Sequence, residues 1–218
     1  MIRLDLQFFG GRGSVSSGGG TGGLNPSDIL GTESLLSYSG KQSEINQVGS
    51  VLKDVNDRYG AILDDVQVAT LKPGASTMAY YDSDGNLAVN VAYFDSAKMN
   101  DAYDRTVKTG FHPSRGNKTG LEAVAAHEMG HKIADDIGKK MGVSSVVSVD
   151  VASDRIIHQA AQNAGYGKKV AQFRKKISGY ASDNYAEAVA EAFSDVYCNG
   201  RKASKESRAV VDVINSYY

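Results

Sequence analysis

From Ser96 to the end of the chain, apolar residues recur at helical spacing in successive stretches, and this constrains the fold more than any other feature. The spacing predicts helices at about 96–108, 120–140, 145–164, 168–178, 183–198 and 204–216. An earlier helix carries Ile45, Val48, Leu52, Val55 and Tyr59 on one face, with Ser43 as a candidate N-cap and Gly60 as its stop. Between them the period changes. Val66-Gln67-Val68 alternates, and two β-rich runs, 77–81 and 87–94, flank Asp82-Ser83-Asp84-Gly85-Asn86. That is the pattern of a hairpin with an Asp-Gly turn, in which Leu87, Val89, Val91 and Tyr93 share a face. A short helix over 27–37, interrupted by Gly31, is also expected. One helix, a small sheet and a mainly helical second half make the chain α+β rather than alternating βαβ.

The first residues differ from the rest. Ile2, Leu4, Leu6 and Phe8 alternate with Arg3, Asp5 and Gln7, a period-2 strand pattern. Residues 10–23 then hold eight glycines and three serines, a composition that buries no apolar surface and acts as a flexible tether. Residues 1–24 are therefore expected to be a docking strand on a tether, with residues 1–9 able to add to a protein partner's sheet edge. Residues 25–218 are expected to form the folded domain. The opening Leu4-Asp5-Leu6-Gln7-Phe8-Phe9-Gly10-Gly11-Arg12-Gly13 resembles the N-termini of some phage and prophage head-region proteins.

Charge and composition narrow the function classes. Lys plus Arg is 24 and Asp plus Glu is 25, a formal net charge of -1, so no basic field is available for nucleic acid. No run of about 18 apolar residues is present, which argues against a membrane partner, and no signal-peptide core is present in residues 1–9. Synthesis in the cytoplasm is the expectation. The single cysteine, Cys198, excludes an internal disulfide and a Cys-rich zinc knuckle, and it is expected to be a small packing residue.

Residues 127–131 read His-Glu-Met-Gly-His. On a helix, His127 and His131 fall on one face and can hold one zinc ion at about 2.0–2.1 Å each. Glu128 is rotated by about 100° and can reach a water on that ion without binding it. The ion brings the water's pKa towards about 7, and the carboxylate takes its proton. Thr119-Gly120-Leu121-Glu122 is a capping box that starts the required helix.

A catalytic zinc takes a third protein ligand. Ala134 and Ile137 stand where a metzincin needs glycine and histidine, so that class is excluded. His112 lies in a polar loop beside Pro113, and His158 lies on an amphipathic helix, where packing or surface exposure is the simpler role. Glu187 and Glu191 are stronger candidates. They share a face of a helix whose other residues are Ala186, Ala188, Val189, Ala190, Ala192 and Phe193. Two carboxylates there repel each other and are costly to bury unless a cation compensates. Glu187 is expected on the metal, with Glu191 behind it holding the far nitrogen of a ligand histidine.

His127-Glu128-x-x-His131 followed by Glu187-x-x-Ala190-Glu191-Ala192-Phe193 resembles the gluzincins. It looks most like the catalytic domain of anthrax lethal factor and its phage- or toxin-associated relatives. The resemblance spans about 87–193 and implies a zincin-like fold, Glu187 as third zinc ligand and Glu191 behind it. It also implies that Tyr180, seven residues before Glu187, faces the substrate carbonyl oxygen, and that the strand at 87–94 lines the cleft.

The expected function is therefore a zinc-dependent endopeptidase acting on a protein or peptide. Zinc is the cofactor, Glu128 the general base and Tyr180 the oxyanion donor. A virion-associated or host-delivered protein is the setting that the resemblance implies. The competing expectation is a catalytically inactive zincin-fold module that serves as a structural or interaction part of a phage head.

Overall fold

The computed structural model describes residues 26–218 apart from Ser83. The expected docking strand and tether, 1–24, lie outside the described residues. The described chain is α+β, with a small mixed sheet and a mainly helical remainder.

The sheet holds β1 (Ile29–Ser34), β2 (Asp65–Leu71), β3 (Ala79–Tyr81) and β4 (Asn86–Asn90) in the order β1-β2-β4-β3. β1 runs antiparallel to β2, β2 parallel to β4, and β3 antiparallel to β4. The hairpin between the last two forms as expected, with Gly85 at φ 90° in its turn.

Two expectations for this half are corrected. Residues 27–37 are not a helix: β1 lies between two short 3₁₀ turns, Pro26–Asp28 and Leu35–Ser37. Gly31 and Thr32 weaken a helix here, and backbone pairing with β2 supplies the alternative. The strand expected at 87–94 ends at Asn90. The buried Asn90 side chain donates to the Thr77 carbonyl at 2.8 Å and accepts from the Ala92 N–H at 3.0 Å. This cap turns Val91–Tyr93 into a 3₁₀ turn, so Val91 and Tyr93 leave the strand face shared by Leu87 and Val89.

The helices are α1 (Gln42–Tyr59), α2 (Ser96–Lys108), α3 (Gly120–Lys140), α4 (Ser148–Asn163), α5 (Val170–Ile177), α6 (Tyr185–Asn199) and α7 (Lys205–Asn215). Boundaries differ from expectation by a few residues. Lys41 rather than Ser43 precedes α1, and Asn184 caps α6. α7 covers the core through Val210, Val211 and Ile214, as expected. Among the described residues, no helix is long and apolar enough to cross a membrane.

The central element is α3, which is buried along nearly its whole length and packs against α1, α2, α4 and α6. Its residues are mostly Ala, Gly and medium aliphatics, which lets neighbours approach on every side. The sheet presents Val68, Met78, Ala79, Leu87 and Val89 to this helical core. Asp135 of α3 gathers the elements around it. It accepts from the Tyr81 hydroxyl of β3 at 2.9 Å, from Ser148 at the start of α4, and pairs with Lys139 at 2.7 Å.

Helices α3 and α6 approach closely at Gly130. A Cβ on Gly130 would stand 2.7 Å from the Ala190 Cα and 3.2 Å from the Phe193 Cβ, inside van der Waals contact. Gly130→Ala is therefore expected to lower the unfolding free energy in urea by about 1–3 kcal/mol, the overpacking cost exceeding the gain in helix propensity. Gly49→Ala, in α1 with nothing within 4 Å of its Cβ position, is expected to raise stability by about 0.5–1 kcal/mol. Equal effects at the two glycines would contradict the close approach.

Candidate metal centre

The site is assembled from α3, α6 and two loop segments. Thr119 opens α3 with the expected capping box: the Glu122 N–H donates to the Thr119 hydroxyl at 3.2 Å, and the Thr119 N–H donates to the Glu122 carboxylate at 2.8 Å. The helix then carries His127 and His131 on the face that meets α6. Gly130, between them, removes the side chain that would hold α6 away. The Asn184 side chain accepts from the Glu187 N–H at 2.8 Å, which sets Glu187 in the first turn of α6.

This geometry brings His127, His131 and Glu187 together. Their ligand atoms lie within 4.8 Å of one another. Nε2 of His127 is 3.1 Å from Oε2 of Glu187, and Nε2 of His131 is 3.6 Å from the same oxygen. Donor atoms about 2.0–2.2 Å from a tetrahedral ion stand about 3.3–3.6 Å apart, so these spacings suit a metal ion. His127 Nε2 and Glu187 Oε2 are buried and, among the described residues, neither has a hydrogen-bond partner. Two such atoms facing each other are costly unless a cation or a proton lies between them.

Glu191 sits behind His127, as expected. Its Oε1 is 2.8 Å from His127 Nδ1. The same oxygen is 2.9 Å from His112 Nδ1, and its Oε2 accepts from the Ser178 hydroxyl at 2.7 Å. Burial works to raise the pKa of both glutamates, but the imidazoles outweigh it. His112 and His127 hold Glu191 at about 2, and His131 and His127 hold Glu187 at about 2. For His127 burial works downwards, yet Glu187 and Glu191 raise its pKa well above the ordinary value. A metal ion bound by this cluster would have to displace a proton.

Glu128 is buried, 1 % exposed. Burial pushes its carboxyl up to about 7, partly offset by His127 and His131. The Tyr81 N–H of β3 also favours its charged form. That value suits a group that exchanges protons near neutrality.

Tyr180 lies against the cluster as well. Its ring stacks on His127 at 5.9 Å between centroids and on Phe111 at 4.8 Å. Burial first, then Glu187, Glu128 and Glu191, raise its pKa well above the usual phenol value, so the hydroxyl keeps its proton. Its position is fixed by the backbone: the Gly179 N–H donates to the Gly110 carbonyl at 2.8 Å, and the Tyr180 N–H to the Phe111 carbonyl at 2.9 Å. A Cβ on Gly179 would stand 3.0 Å from that Gly110 oxygen, so glycine permits the pairing.

All six residues singled out from the sequence thus meet in one place. His112 is adjacent but is directed at Glu191 rather than at the ligand trio. His158 is exposed on α4 beside Asp154 and Tyr185, outside the site. Cys198 is half-buried, and burial pushes its thiol up to about 12, which does not suit a metal ligand at neutral pH. Ser178 was not foreseen; its only sequence signal is its place two residues before Tyr180. The strand beside the α3 site is also different from expectation. β4 (Asn86–Asn90), which overlaps the run expected at 87–94, is an inner strand, and the outer strand packed on α3 is β3. Comparison with known proteins finds no matching family model, no similar curated protein and no similar solved structure.

A cluster of this form is expected to take up close to one equivalent of zinc, measured by atomic emission. Glu187→Ala should lower that stoichiometry, and His158→Ala should leave it unchanged. Free zinc at about 100 times its dissociation constant should stabilise the wild type by about 2.7 kcal/mol, and a chelator should reverse the effect. Unaltered zinc content in Glu187→Ala would place the third ligand elsewhere.

Proposed function

We propose that the chain is a zincin-like zinc metallopeptidase that hydrolyses peptide bonds in a protein or peptide substrate. The observation that carries this reading is the convergence of His127, His131 and Glu187 on one point, with Glu128 beside them. The active-site helix α3, the glutamate helix α6 and the outer strand β3 are the parts such a hydrolase requires.

A zinc ion held by the trio supplies a Lewis acid for a carbonyl oxygen and makes a water acidic near neutral pH. The protein's own groups do the rest. Glu128 accepts the proton of the attacking water and hands it to the departing amine, a transfer suited to its carboxyl at about 7. Tyr180, protonated and stacked on His127, donates its hydroxyl to the scissile carbonyl oxygen as negative charge develops there. Glu191 holds the His127 ring. The outer strand β3 is the sheet element beside α3 along which an extended peptide can lie.

One observation favours a second reading. The site side chains are buried, with Tyr180 the most exposed at 4 %. Closed sites are the mark of structural zinc, whereas catalytic sites keep a position open. On that reading the protein is a non-catalytic module whose metal holds α3 to α6.

The two readings part at Glu128. Glu128→Gln is expected to keep zinc near one equivalent and to reduce cleavage, measured as a proteome-wide profile against wild type, by about 10²–10⁴-fold. Tyr180→Phe is expected to keep zinc and lower kcat by about 10²–10³-fold. Zinc binding with no difference in cleavage products between wild type and Glu128→Gln would support the structural reading.

A further inference from the structure

We infer that His112 is a positioning residue for the metal centre: through the shared Oε1 of Glu191 it fixes which nitrogen of His127 is presented to the ion. The inference rests on the zinc reading above and extends it to a residue outside the ligand motif.

The geometry is a buried relay between three elements. His112 Nδ1 and His127 Nδ1 stand 2.9 and 2.8 Å from the same Glu191 oxygen. The Ser178 hydroxyl donates to the other oxygen at 2.7 Å. An ionised carboxylate only accepts, so both imidazoles must carry hydrogen on Nδ1. With Nδ1 kept protonated, Nε2 of His127, 3.1 Å from Glu187 Oε2, is the nitrogen that can give up its proton and offer a lone pair to a metal ion. Three donors on one carboxylate stop it from turning. With His112 gone, the Oε1 side keeps only the ligand histidine, and the carboxylate and that ring can turn together.

Packing alone does not call for a histidine at 112. Its side chain is wholly buried, stacked on Tyr103 at 5.3 Å and edge-on to Phe111 and Tyr180. Its Nε2 has no hydrogen-bond partner among the described residues. In these aromatic surroundings a phenylalanine would fill the space without leaving a buried nitrogen unsatisfied. What phenylalanine lacks is the Nδ1 donor. The ring is held rigidly from behind by α2 through Tyr103. The loop carrying it is pinned by the backbone bonds from Gly179 and Tyr180. One loop thus sets both the back of the metal centre and the position of Tyr180.

Two substitutions separate a donor from a packing role. His112→Phe keeps an aromatic ring against Tyr103 and removes the donor. His112→Asn loses the ring but places an amide nitrogen at the same bond distance from the backbone as Nδ1. Zinc affinity is read by competition with a chromophoric chelator, and folding by the thermal midpoint of the metal-free proteins. His112→Phe is expected to weaken zinc binding by about 10- to 100-fold, and His112→Asn to stay close to wild type. The reverse order, with Phe tight and Asn weak, would overturn the inference and leave a packing role. Ring-nitrogen NMR of the zinc-loaded wild type gives a test independent of any variant. Hydrogen on Nδ1 of both His112 and His127 supports the relay, and a bare His112 Nδ1 overturns it. A wild type that binds no zinc defeats the metal reading itself, whereas tight zinc binding by wild type and His112→Phe alike defeats only the relay.

Discussion

The contact on which the structure turns is the approach of α6 to α3 at Gly130 and Ala190. The distance that a Cβ on Gly130 would leave, 2.7 Å to the Ala190 Cα, shows that only glycine fits there. Gly130 lies inside the same five-residue stretch as His127 and His131. The packing requirement and the chemical requirement therefore fall on one turn of helix. Ala190 on α6 serves the same end, since a larger side chain there would push the helix away from α3.

Once the helices are this close, Glu187 and Glu191 are carried into the core. An unpaired buried carboxylate costs several kcal/mol, so burial alone would make this a poor place for two of them. The arrangement divides the task. Glu191 is satisfied by His112, His127 and Ser178, which act from three different segments. Glu187 has His127 and His131 beside it but an oxygen without a hydrogen bond. The first carboxylate completes the protein's own network, and the second keeps an oxygen that a cation could bind. The loop pairing between 110–111 and 179–180 ties the network to Tyr180, so the groups around the cluster are set by backbone bonds rather than by long side chains.

How much of this could be read in the sequence follows from how local each feature is. Helix α3 was legible because its cap, its helix-favouring run and its histidine spacing lie within one short stretch. The glutamate helix was legible because Glu187 and Glu191 stand among apolar neighbours, where a solvent-facing role is costly. Tyr180 entered through family resemblance alone. β1 was not legible: its residues favour neither period, and it is a strand because β2 pairs with it. The end of β4 depends on the Asn90 side chain reaching Thr77, a contact between separate segments. The place of His112 depends on the pairing of two loops far apart in the chain. These features are tertiary in origin, and no local pattern reports them.

The central claim is that His127, His131 and Glu187 hold one zinc ion. Zinc-edge X-ray absorption on the purified full chain tests it most directly. Zinc held by these three residues is expected to show nitrogen and oxygen neighbours only, at about 2.0–2.2 Å, with the multiple-scattering signature of two imidazoles. A shell containing sulfur at about 2.3 Å, or one without imidazole, would contradict it.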